Sequence, residues 1–243
     1  MRITRYIQPN DLNEAYERLV ETKGAVIMAG GMFLRLQHRT LPLVIDLGHL
    51  GLDGISSAGG LVTIGAMTPL RCLETSQDLP DILKKGTRQV AGVAVRNMAT
   101  VGGSIMGRYP FSDVACCLLA LDAKLKFHYH GEMTLQSFLD HGLEGEDILL
   151  EVFFEMPEAS DYKSFRKTYT DFPTVAVGVV KRESYTVAIG ARPGRAKKWT
   201  YDEMNRQTLA LEAFEFSSDR RASAEYRKQL AAALLEDIME GGM

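Results

Sequence analysis

The sequence predicts an α+β chain in two parts, about 1–157 and 158–243. Three observations predict it. Short apolar runs and amphipathic helical patterns alternate irregularly, not as repeated strand–helix units. A polar, acidic segment, "EASDYKS", follows a strand pattern that ends at Pro157. Beyond it come two closely spaced strand patterns and one long amphipathic pattern.

Each element has its own warrant. In "DLNEAYERLVETKG", Leu12, Ala15, Tyr16, Leu19 and Val20 share one helical face, Asn10 or Asp11 is placed to cap the start, and Gly24 stops it. "AVIMAGG" reads as a short buried strand ending in glycines, and "PLVIDLGHL" as a second strand with a turn after it. "GGLVTIGAMTPL" is a third strand, entered through Gly59-Gly60. "LPDILKKGTRQVAGVAVRNM" has helical spacing with interruptions at Gly86 and Gly92. "DVACCLLALDAKLKF" begins as a helix and runs into a strand. "HGEMTLQSFLDHGLEGEDILLEVFFEMP" holds a turn, a short helix and a strand. "TVAVGVVKRES" and "YTVAIGARPG" are separated by so little that a hairpin is the simplest connection. "DRRASAEYRKQLAAALLEDIM" is a strong amphipathic helix.

Composition narrows the function class. The 243 residues carry a net charge of −3 with no basic block, which argues against nucleic acid as the main partner. No apolar run approaches the ~20 residues of a membrane span, and "MRITRYIQPN" lacks the hydrophobic core of a signal peptide. The three cysteines are too few and too badly spaced for a disulfide framework or an iron–sulfur cluster. Cys116-Cys117 lie in an apolar run and are expected as buried thiols, so a reducing, cytoplasmic setting is expected. His128 and His130 are expected on the solvent face of a strand, with no further ligand at metal spacing.

The motifs that carry chemistry are two glycine pairs. One stands in "VIMAGGMFLRL" and the other in "TVGGSIMGRYPFSD". A glycine pair after a strand lets the backbone turn sharply and approach a ligand without an intervening Cβ, and successive amides in such a turn can converge on an anion. Each alone reads as a tight structural turn. Two in one chain suit a pyrophosphate held from both sides, with Thr100 and Ser104 offering hydroxyls. Asp113 is placed to accept from a sugar hydroxyl or from loop amides, and also to cap the helix pattern in "VACCLLALDA"; the two roles can coexist. Neither glycine pair is the G-x-G-x-x-G fingerprint or a G-x-x-x-x-G-K-[ST] loop.

These residues resemble the FAD-binding subunits of the molybdenum hydroxylases, the xanthine dehydrogenase and carbon monoxide dehydrogenase group. "VIMAGGMFLRL" resembles the first flavin loop of that family, and "VRNMATVGGSIMGRYPFSD" the second. "LLALDAKLKF", "GLEGEDILLEVFFEMP", "SFRKTYTDFPTVAVGVV" and "RASAEYRKQLAAALLEDIM" resemble four further segments in the right order. The resemblance implies a two-subdomain FAD-binding domain of the vanillyl-alcohol-oxidase/PCMH type over 1–157, with subdomains 1–55 and 56–157. A small C-terminal domain of antiparallel sheet and helices would follow over 158–243. It implies non-covalent FAD, with Ile27, Met28, Ala29, Gly30, Gly31, Met32, Phe33 and Leu34 wrapping the pyrophosphate through main-chain amides. Thr100, Val101, Gly102, Gly103 and Ser104 would contact phosphate and ribitol, Asp113 the adenosine side, and Leu149 would pack on the cofactor. Arg166 or Lys167 would approach the flavin, and Tyr109 would stand beside the site.

The resemblance also implies partners. Molybdopterin would sit on a large subunit and [2Fe–2S] clusters on a small one, with electrons passing through FAD to NAD or another acceptor. No general acid, base or nucleophile is implied here. Departures from the family pattern are concentrated at the site. Met32 and Phe33 replace a small or polar residue and an aspartate, Ser104 replaces an asparagine, and Arg108-Tyr109 replace smaller residues. Backbone holding would tolerate these changes, or the added bulk would fill part of the site. The rival expectations are a flavin-free assembly or binding protein with the same fold, and a free-standing flavin oxidase.

Overall fold

The computed structural model describes residues 1–204 and 211–242. The first segment contains β1 (Arg2–Ile3), β2 (Tyr6–Ile7), α1 (Leu12–Glu21), β3 (Val26–Met28), a 3₁₀ turn (Leu34–Leu36), β4 (Thr40–Leu41) and β5 (Val44–Asp46). β2 and β3 flank β5 in parallel, and β1 pairs with β4. Helix α1 starts where Asp11 Oδ1 accepts the Glu14 amide, while the Glu14 carboxylate accepts the amide of Asn10, the residue before the cap. Its buried Ala15 and Leu19 close a small core with Leu43, Ile45, Leu47 and Ile148.

A five-stranded antiparallel sheet follows, in the order β6-β7-β10-β8-β9. Its strands are β6 (Ile55–Ala58), β7 (Leu61–Gly65), β8 (Lys124–Phe127), β9 (Gly131–Thr134) and β10 (Leu149–Glu155). Gly59 and Gly60, both at positive φ, make the two-residue turn between β6 and β7. The helices of this part are α2 (Leu70–Thr75), α3 (Asp81–Arg88), α4 (Val93–Met98), α5 (Val101–Met106), α6 (Asp113–Ala120) and α7 (Leu135–His141), and buried residues of all but α4 share one core with β7, β8 and β10.

A second antiparallel sheet joins β11 (Ala159–Phe165), β12 (Val175–Lys181), β13 (Tyr185–Gly190) and β14 (Lys197–Tyr201) in sequence order, and α8 (Ala224–Glu240) covers one face. Strand β12 is buried on both faces, which is why it reads as an unbroken apolar run. Val175, Val177 and Val179 meet α8 residues Ala231, Leu235 and Ile238. Ala176 and Val180 join the main core on the other face. There Gly178 and Gly190 leave room for α6 to lie close, against Ala120 and Cys116. All eight residues of α6 are buried, as expected of a helix packed on every side.

Several expectations are corrected. Gly86 does not interrupt a helix: it lies inside α3, where a Cβ would strike the Cys117 sulfur, so it sets the approach of α6. Gly92 caps α4. The polar segment after Pro157, read only as a boundary between the two parts, forms most of strand β11, and β6, β9 and β14 are further strands that carried no clear apolar run. His128 and His130 are in the β8–β9 turn, not on a strand. Cys116 and Cys117 are buried as expected, and burial pushes both thiols up, far from reactivity.

Candidate functional site: a cavity between two glycine segments

A cavity of about 540 Å³ lies between the β3 loop, the α4–α5 corner and the segment entering β10. That volume is in the usual range for small-molecule sites. Ile27, Ala29, Gly30, Gly31, Met32, Phe33 and Leu34 line one wall; Thr100, Gly102, Gly103, Ser104 and Tyr109 line another; Leu149 closes the base. The structure therefore brings the two glycine segments into one cavity. The join is direct. A Cβ on Gly30 would fall on the carbonyl oxygen of Met98, so only glycine lets the β3 loop rest on the end of α4.

The two segments do different work. Gly31 turns at φ +65°. The amides of Gly30, Gly31, Met32 and Phe33 have no acceptor among the described residues, so four successive donors remain for a ligand. The second glycine pair is not a turn. Thr100 caps α5 through its side chain, which accepts from Gly103 N, and both glycines lie in the first helical turn. The amides there are already engaged: Val101 N donates to Thr68 O, Gly102 N to Ala66 O and Ser104 N to Thr100 O. What α5 offers is a surface without side chains. Gly102 presses against Ala66, and Gly103 is exposed with only Thr100 Oγ1 nearby.

Five expected residues do not line the cavity. Met28 belongs to β3, and Val101 is buried in the main core. Asp113 is the first residue of α6, capped by Ser112, so Asp113 is not the cap. Its Oδ1 accepts from both the Tyr162 hydroxyl and the Arg166 guanidinium in a buried cluster. Burial pushes this carboxyl up, against the opposing pull of Arg166 and Tyr162. Arg166 is thus committed to Asp113 and to the Asp171 carbonyl (2.7 Å), and Lys167 is exposed away from the cavity.

Other lining residues gave no sequence signal. Arg39 is the one guanidinium among them, its Nε donating to Gln37 Oε1 at 2.6 Å. Glu146, Asp147 and Ile148 precede Leu149 on the wall. The Asp147 carboxylate accepts from the amides of Tyr129, His130 and Ile148 and from the His130 ring. Burial pushes this carboxyl up, but those donors outweigh it and hold it below the usual range. Met32 and Phe33 line the cavity, and Phe33 stacks on Tyr109 with ring centroids 4.5 Å apart.

The family model described as the FAD binding domain in molybdopterin dehydrogenase matches residues 2–154. The chain belongs to this family. Among relatives of this FAD-binding-domain chain, YgfM of Escherichia coli (strain K12), named only as an uncharacterized protein, is 26% identical over 97% of this chain and 95% of its own length. The carbon monoxide dehydrogenase medium chain of Hydrogenophaga pseudoflava is 27% identical over 74% of this chain and 69% of its own. The solved carbon monoxide dehydrogenase of Hydrogenophaga pseudoflava contains a chain with the same fold, at a TM-score of 0.86 and 22% identity over 98% of this chain and 96% of that one. Quinoline 2-oxidoreductase from Pseudomonas putida 86 shares it at 0.83 and 22%, covering 96% and 94%.

Proposed function

We propose that this chain binds FAD non-covalently and serves as the electron-transfer subunit of a multi-subunit molybdenum hydroxylase. The observation that carries the reading is the run of four unpartnered amides at Gly30–Phe33, set in one cavity with the Cβ-free face of α5. Four N–H donors suit a diphosphate, whose oxygens are spread over several ångströms. Arg39 adds positive charge to the same wall. The Ser104 hydroxyl donates to Thr100 O at 2.9 Å and so offers a ligand only its lone pairs, and Leu149 gives an apolar surface for a ring.

When bound, FAD supplies a ring that accepts electrons and passes them on. This chain's residues hold the diphosphate and exclude water from the apolar floor. In this reading electrons arrive from [2Fe–2S] clusters on a small subunit, substrate is hydroxylated at molybdopterin on a large one, and NAD or another acceptor takes the electrons. The setting is cytoplasmic, in keeping with three free thiols. Residues 1–157 form the FAD-binding domain, with subdomains 1–55 and 56–157, and 158–243 the C-terminal domain.

The purified chain tests the cofactor reading directly. A yellow protein that releases FAD on denaturation supports it. A colourless chain that takes up no added FAD overturns it in favour of a flavin-free binding protein. Purification from the native source is expected to recover an iron–sulfur subunit and a molybdopterin subunit together with this chain.

A further inference from the structure

We propose that the Phe33–Tyr109 pair is a stacking wall for the isoalloxazine ring, and that it selects a flavin over other diphosphates. The inference rests on the FAD reading above. Phe33 ends the run of free amides, so an aromatic ring stands immediately beside the anion cradle. Its stack on Tyr109 is nearly parallel, at 28° between ring planes. Phe111 and Phe172 extend the same group, with Phe111 5.4 Å from Tyr109 and 4.0 Å from Phe172 between centroids.

The placement of Tyr109 is built in from both sides. A Cβ on Gly107 would collide with the Tyr109 ring, so glycine is needed for the ring to lie there. Arg108 is held at φ +47°, a region that a side chain disfavours and that persists only when its surroundings enforce it. The enforcement is visible. Its guanidinium donates to Leu139 O at 2.7 Å and lies 5.7 Å from the Phe138 ring centroid. On the other side Pro110 O accepts from Ala191 N at 2.8 Å, and the Ser112 hydroxyl donates to Ser104 O at 3.1 Å. A tyrosine that only filled surface would need none of this.

The choice of ring follows from exposure. Phe33 lines the cavity and is 38% exposed, and through Phe111 it joins Phe172, which is 40% exposed and outside the lining, so the aromatic group runs from the cavity wall to solvent. A ring that exchanges electrons with other molecules must stand toward solvent, whereas adenine has no such requirement. Half-exposed aromatic faces beside a polar cradle are the arrangement that a planar ligand covers.

Binding of FAD, FMN and ADP to the full chain tests the proposal, with Phe33→Leu, Tyr109→Leu and Tyr109→Phe. Each leucine variant is expected to bind FAD and FMN roughly 10-fold more weakly, the scale of a lost aromatic stack. ADP binding stays at the wild-type level in Tyr109→Leu, whose residue supplies no amide to the cradle, and this also reports that the variant is folded. Fluorescence of bound FAD rises in Tyr109→Leu, and Tyr109→Phe restores affinity while the fluorescence stays high, because the electron-rich phenol quenches an excited flavin and a phenyl ring does not. Equal losses for FAD and ADP overturn the proposal, as does FAD binding that is unchanged or tighter, which would make the pair a plug. A wild-type chain that binds ADP but gains nothing from the flavin ring overturns the wall alone. A wild-type chain that binds neither nucleotide overturns the FAD reading and the wall with it.

Discussion

Two glycines one cavity apart illustrate how differently the same residue type is required. At Gly30 a Cβ would occupy the space of a backbone carbonyl, that of Met98, which cannot rotate away. Gly30→Ala must therefore move the β3 loop off α4. It is expected to destabilise by about 1–3 kcal/mol, the usual cost of overpacking, and to weaken FAD binding at least ~10-fold, because the four free amides move with the loop. At Gly103 a Cβ meets only Thr100 Oγ1, at 3.2 Å, and alanine is favoured over glycine within a helix by about 1 kcal/mol. Gly103→Ala is thus expected to leave the melting temperature near the wild-type value while still weakening FAD, since the new methyl stands on the cavity wall. Thermal unfolding and FAD titration of both variants separate the roles; equal loss of stability in the two would contradict the assignment. The sequence marked both pairs as important, but it did not distinguish a turn from a helix start. The reason is physical: Thr100 and Val101 are β-branched, and a six-residue helix has no room to display a 3.6-residue period. Its glycines are dictated by contacts with Ala66 and Thr100, which lie elsewhere in the fold or in the cap.

The segment between α7 and β10 shows the same limit at the level of an element. Its acidic stretch carries no periodicity, and its role depends on a partner from the β8–β9 turn. There His130 Nδ1 meets the Asp147 carboxylate at 2.7 Å and Nε2 meets Glu144 O at 3.0 Å. Both ring nitrogens face acceptors, so the doubly protonated ring suits this position best. The bond to Asp147 raises the His130 pKa above 6.5, helped by the Glu144 carbonyl and by both carboxylates. A raised folded-state pKa means that the stabilisation is fully present below the unfolded value and is lost as pH rises through the folded one. His130→Ala is therefore expected to lower the melting temperature most near pH 5–6 and progressively less toward pH 9. The Asp147 carboxyl is held low, so its contribution is present above the unfolded value near 4 and fades only in stronger acid. Melting temperatures of wild type and variant across this range check the sign; a difference that does not vary with pH rules out the imidazolium. Because Glu146 to Leu149 line the cavity, the latch also holds one wall of the site. The strands missed in the sequence share this dependence on context. β11 reads "ASDYKSF", and Tyr162 is its one fully buried residue, so no alternation announces it.

Over the whole molecule, the decisive feature is that one buried cluster joins both large sheets. Val62, Ile64 and Val152 of the five-stranded sheet and Ala176, Val180 and Ala188 of the four-stranded sheet pack through α3 and α6 into the same core. At its centre Asp113 of α6 accepts from Tyr162 of β11 and from Arg166, which directly follows that strand. The sequence showed Asp113 and Arg166 as candidate ligand contacts, because pairing across fifty residues is not legible in one chain. A buried ion pair contributes little net stability when intact, but removing one partner leaves a charge in the core and costs about 3–5 kcal/mol. Arg166→Met is thus expected to be severely destabilising. Asp113→Asn combined with Arg166→Met is expected to be milder than Arg166→Met alone, because no charge is left buried and the amide oxygen still accepts from Tyr162. Urea unfolding reads both the cost and its reach. Circular dichroism follows all the sheets, while the single tryptophan, Trp199 on β14, follows the C-terminal sheet alone. If the shared core couples the sheets, the two signals fall together in the wild type. Arg166→Met then moves both midpoints to the same lower urea concentration. A tryptophan transition that separates from the circular dichroism in the wild type would show that the two sheets unfold independently and that the Asp113 cluster does not bind them into one unit.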